Sequence, residues 1–179
     1  MHRIGTTLAA LAICGALLTP GEARPWKPQG EALAEDYAQI IDSRPGGDLV
    51  LLMWIVPQIV KSSPTAAAML DKYVVLGVVH GHVQAGGIVS FEDVTTLAAN
   101  DGDGKPLKLL QGADLPADVA GGVAGISGVM RQTIGQMGQG MHFFAFEGGV
   151  HACEKGQLSI PFAGETYIYD TPIPGCPKP

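Results

Sequence analysis

Along this chain, runs of apolar residues alternate with short polar or glycine-rich breaks, and the spacing within each run indicates the local structure. From Glu31 to Ile41, apolar Leu33, Tyr37, Ile40 and Ile41 share one helical face while Glu31, Glu35, Asp36 and Gln39 take the other. This predicts a short amphipathic helix, stopped by Pro45-Gly46-Gly47. Leu49 to Val56 is unbroken and apolar, and its length, closed by Pro57, favours a buried strand. Ser63-Pro64 reads as an N-cap followed by proline at the first helical position, opening a short helix through Ala66 to Leu70.

Valine-rich Tyr73 to Gln84 and Ile88 to Leu97, joined by Ala85-Gly86-Gly87, predict a β-hairpin. The polar turn Asn100 to Gly104 leads to a short strand over Leu107 to Leu110, continuing a meander. Between Pro116 and Met137, Val119, Val123, Ile126, Met130 and Ile134 lie near helical spacing and predict one loose helix. Three strands follow: Met141 to Phe146, Leu158 to Phe162 and Thr166 to Tyr169. Asp170 to Pro179 forms a proline-rich arm.

The first residues change the setting of all of this. Met1-His2-Arg3, an apolar run from Ile4 to Leu18 and the small residues Gly21 and Ala23 have the form of a secretory signal, with cleavage expected after Ala23. The run is too short to span a bilayer comfortably. Cys14 falls inside it and leaves with it, lipidation being the lesser alternative. The mature chain is then expected in the periplasm or outside the cell, with Arg24 to Gly30 an extended lead-in and 31–179 one globular domain. Cys153 and Cys176 are left as a pair in an oxidising compartment, where they are expected to form a disulfide that ties back the C-terminal arm.

Together these elements predict a single α+β domain: a mainly antiparallel sheet of about six strands with two or three helices packed on one face. Hydrophobic residues make up 46% and charged residues 16% of the chain, which argues against intrinsic disorder. The net charge of -6, with scattered basic residues, argues against a nucleic-acid surface. No transmembrane span is expected in the mature chain.

The sharpest candidate for chemistry is a His/Met set. His80 and His82 alternate onto one face of a strand, and Met137, Met141 and His142 follow, a ligand mixture suited to copper in an exported protein. Core packing is the competing account of the methionines. Asp101 and Asp103 start like a calcium loop, but Lys105 and Pro106 stand where a ligand and the turn glycine belong, so a plain polar turn is expected.

For catalysis, Gly125-Ile126-Ser127-Gly128 misses the nucleophile-elbow pattern by one residue. Glu92, Asp93, Glu147 and Glu165 supply carboxylates without a defining spacing, and no catalytic residue can be named. The small residues from Ala120 to Gly128 suit a helix packed closely on the sheet, or a segment that orders around a ligand, membrane or partner.

The expected function is therefore a non-catalytic exported protein that binds a protein partner, an envelope component or a small apolar ligand, without a cofactor. A copper-handling protein using His80, His82, Met137, Met141 and His142 is the first alternative. A hydrolase of unknown substrate is the second.

Overall fold

The computed structural model describes residues 23–25, 39–60, 63–174 and 176. The signal segment before Ala23 and residues 26–38, which hold most of the expected 31–41 helix, lie outside the described residues.

A six-stranded sheet occupies the centre. It is built from β2 (Gln39–Ser43), β3 (Asp48–Ile55), β4 (Tyr73–Val83), β5 (Val89–Glu92), β6 (Leu109–Leu110) and β7 (His142–Glu147). The order is β2-β3-β4-β7-β6, all neighbours antiparallel. β4 is long enough to serve two partners on one side: Tyr73 to Val78 pair with β7, and His80 to Val83 pair with β5. That handover sets Glu92 directly opposite His80.

A second sheet of three strands, β1 (Ala23–Pro25), β9 (Glu165–Thr171) and β8 (Gly156–Phe162), lies over one face of the first. β8 and β9 form an antiparallel hairpin closed by Ala163-Gly164, both with positive φ, while β1 joins β9 in parallel. The other face carries α1 (Pro64–Leu70), α2 (Ala117–Thr133) and the single-turn α3 (Gln136–Gln139). The α+β class, the antiparallel pairing and the helices agree with the sequence. The single sheet open on one side does not, because β8 and β9 form the core of a sheet of their own.

This layering explains the unbroken apolar run of β3, since a strand covered on both faces has no solvent side to mark with polar residues. Val50, Leu52 and Trp54 point toward Leu158, Ile160, Tyr167 and Tyr169 of the small sheet. Met53 and Ile55 point the other way, toward Met69, Leu70, Val119 and Ile126 of the helices.

Local boundaries differ from the sequence reading in four places, each for a physical reason. Gln39 to Ile41, expected as the end of a helix, belong to β2. The Pro45-Gly46-Gly47 turn, with φ of 85° and 88° at its glycines, folds the chain back on β3, and adjacent β-branched isoleucines suit a strand. β5 ends at Glu92, since Val94, Leu97 and Ala99 turn into the core between the sheets. β6 pairs with β7 instead of β5, so the meander is broken. The long helical stretch is cut at Gly135, whose φ of 58° and ψ of -128° are open only to glycine.

Candidate functional site

Two arrangements stand out, one polar and lying between the sheets, the other apolar and lying between the helices. The polar one centres on Asp42, a carboxylate only 3% exposed. It accepts from Arg24, from Arg44 Nε at 2.8 Å and from the Tyr167 hydroxyl at 2.9 Å. Burial pushes the Asp42 pKa up, but Arg44, Tyr167 and Arg24 outweigh it and hold the group below its ordinary value. Burial, reinforced by Asp42, pushes the Tyr167 hydroxyl up to about 12.

Arg44 continues the chain of contacts to Asp48 at 3.2 Å and to the Ala163 carbonyl at 2.6 Å. Asp48 meets His80 Nε2 at 2.9 Å, and His80 Nδ1 meets Glu92 at 2.8 Å. These groups come from β1, β2, β3, β4, β5 and β9, with Arg44 in the β2–β3 turn, so the network clamps the small sheet onto the edge of the large one.

The apolar arrangement is a groove of about 880 Å³ between α1 and α2, floored by the end of β3. α1 forms where expected: Ser63 Oγ accepts from the Ala66 N–H at 3.4 Å, and Pro64 takes the first turn. α2 carries Asp118 in its first turn and Arg131 in its last, matching the helix dipole. Its packed face is Val119, Val123, Ile126 and Met130, at the spacing read from the sequence.

The small residues are not the packed face, which corrects the close-packing account of them. Among the described residues a Cβ on Gly121, Gly125 or Gly128 would meet nothing within 4 Å, while one on Gly122 would touch the far end of the Met69 side chain. Gly121, Gly122 and Gly125 instead line the groove together with Ile55, Val60 and Val129, the last 62% exposed. Three glycines on α2 are thus not required by packing against the described residues, and two of them, Gly121 and Gly125, border the groove.

The His/Met set is divided by the central sheet. His80 and His82 alternate onto the small-sheet face of β4, and His142, paired with Val78, lies on that same face. Met141 is buried on the opposite face with Leu51 and Val79, and Met137 packs beside it. The five residues thus do not converge on one point, because the packing of the sheet separates the thioethers from the imidazoles. Among the described residues no group of three or more His, Cys, Asp or Glu side chains is placed to hold a metal ion.

The four candidate carboxylates are also dispersed. Glu92 faces His80, Asp93 faces His142 at 3.4 Å, Glu147 faces Lys108 and Glu165 faces Arg24. Ser127 sits in the middle of α2, away from any strand-to-helix turn. Asp101 Oδ1 accepts from the Asp103 and Lys105 N–H groups, as a polar turn requires. Cys153 and Cys176 form the expected disulfide, with Gln58 Nε2 donating to Cys153 Sγ at 2.9 Å.

Comparison with protein-family models, with curated proteins and with solved structures finds no match. Among the described residues no helix is long and apolar enough to cross a membrane.

Proposed function

We propose that this is an exported, non-catalytic protein that holds an apolar ligand in the groove between α1 and α2. The observation that carries the reading is the pairing of an 880 Å³ apolar hollow with glycines whose missing side chains leave it open. Its size falls within the range of pockets that enclose small molecules. Glycine costs a helix about 0.5–1 kcal/mol relative to alanine, so keeping several on one exposed surface needs a reason that packing does not supply. The apolar N-terminal run supports export, and the Cys153–Cys176 disulfide is consistent with it.

The test is to fill the groove from within. Protein purified after expression of the full-length chain is titrated with the uncharged dye Nile red, with Gly125→Leu and Gly128→Leu compared against the parent. Gly128 is exposed and does not line the groove, so its variant controls for helix propensity and added surface hydrophobicity. The expected result is dye uptake by the parent and by Gly128→Leu, reduced at least tenfold in Gly125→Leu. Equal uptake by all three, or none by the parent, removes the proposal.

A further inference from the structure

We infer that the occupant of the groove is a molecule with an unbranched alkyl chain, lying lengthwise along α2 on the row formed by Gly121, Gly125 and Val129. This rests on the groove being the binding site and adds the ligand class.

The α2 side of the groove is built from two neighbouring rows, each spaced four residues apart and so running along the helix rather than around it. Gly122, Ile126 and Met130 form the row that faces the protein: Ile126 is buried, Met130 packs against the same cluster, and the end of Met69 lies against Gly122. Gly121, Gly125 and Val129 form the other row, and all three are exposed. Both rows line the groove. Among the described residues a Cβ at Gly121 or Gly125 would meet nothing within 4 Å, so two of the three places in this outer row are bare backbone with open space above them. The result is a trough the width of a missing side chain, running roughly 12 Å from Gly121 to Val129 at 1.5 Å per residue. An extended carbon chain advances roughly 1.2 Å per bond, as an extended backbone does, so about ten bonds of it span the trough.

The lining points to the same class of ligand. Across the groove stand Ile59 and Val60, after β3, with Ala66 and Ala68 of α1, and Ile55 is the floor. Among the described residues no aromatic side chain lines it. The large rings of Trp54, Phe146, Tyr167 and Tyr169 are all packed on the opposite face of the central sheet. A flat aromatic ligand gains about two- to tenfold in affinity from a ring set against it, and this groove offers none. Branched aliphatic side chains and the flexible thioethers of Met69 and Met130 instead adapt to the contour of a chain that can itself rotate.

The experiment displaces Nile red with n-hexanol, n-octanol, n-decanol and n-dodecanol, and with naphthylmethanol, which is compared with the alkanol series at equal octanol–water partition. Gly121→Leu is run beside the parent, because there is space for its side chain at one end of the row and Gly125 stays open. In the parent, affinity is expected to rise about fourfold per methylene as far as decanol and to level off at dodecanol. Naphthylmethanol is expected to bind several-fold more weakly than an alkanol of the same partition. Gly121→Leu should keep the binding of hexanol and lose most of the gain beyond it.

If naphthylmethanol displaces the dye as well as an alkanol of equal partition, the alkyl assignment is overturned and the groove survives. If affinity keeps rising at dodecanol, or rises equally in the parent and Gly121→Leu, the chain does not lie along this row and the inference is overturned. If the parent takes up no Nile red, the groove reading itself fails and the inference with it.

Discussion

At the scale of single residues, Asp42 is the side chain on which most of the inter-sheet polar contact converges. Removing its charge leaves Arg44, itself mostly buried, without its nearer carboxylate, and breaking such a pair costs about 3 kcal/mol or more. Asp42→Asn is therefore expected to lower the urea midpoint markedly at pH 7. The pH dependence has a definite sign. Because the folded-state pKa lies below the ordinary value of 3.8, the stabilisation is complete above that pH and is lost as pH falls through the folded value. Parent stability should drop below about pH 4, and the difference between parent and Asp42→Asn should shrink there. A difference that stays constant down to pH 2.5 would show that the carboxylate's ionisation is not what stabilises the fold. None of this was legible beforehand: Asp42 sits between an expected helix and a turn, where an acidic residue is ordinarily solvated. Its burial follows from Tyr167, 125 positions away in the chain, reaching it from the second sheet.

At the scale of elements, α2 and α3 together provide the clearest separation of roles among glycines. Gly121, Gly125 and Gly128 have room for a methyl group, whereas a Cβ at Gly138 would sit 2.6 Å from the Arg131 backbone. Alanine at each of the first three should raise stability by about 0.5–1 kcal/mol, and alanine at Gly138 should lower it by about 1–3 kcal/mol. Thermal unfolding of the four variants tests this, and destabilisation by the three α2 variants would mean that α2 is packed on its small side after all. Elements defined by their own residues were readable from the sequence: β3 from its continuous apolar run, α1 from Ser63-Pro64, the β4–β5 hairpin from Gly86-Gly87. Those defined by partners were not. Ile40 and Ile41 fit helix and strand spacing alike, and only pairing with Leu52 and Leu51 decides between them. The tail strands β8 and β9 look like further members of one sheet until their pairing with each other, with β1 beside β9, sets them apart.

At the scale of the whole molecule, the two faces of the central sheet are covered unequally. The small sheet closes one face with large side chains, Tyr167 and Tyr169 among them, and is locked down by the Asp42 network. The other face has the seven residues of α1 and the sparse side chains of α2, which meet near Gly122 and leave the groove along the rest of their length. An apolar surface left open in this way should gain stability when covered, and a ligand at a hundred times its dissociation constant adds about 2.7 kcal/mol. Gly125→Leu separates the two effects on stability. Without ligand, leucine replaces a poor helix former and partly fills the hollow, so the variant should melt higher than the parent. With a saturating apolar ligand the order should reverse, because only the parent gains the binding energy. Thermal melts of both proteins, with and without ligand, test for that crossover. If ligand raises both melting temperatures equally, the ligand is seated somewhere other than the groove. If the variant melts lower in both conditions, Gly125 serves the packing of α2 and the open surface beside it is not a binding site.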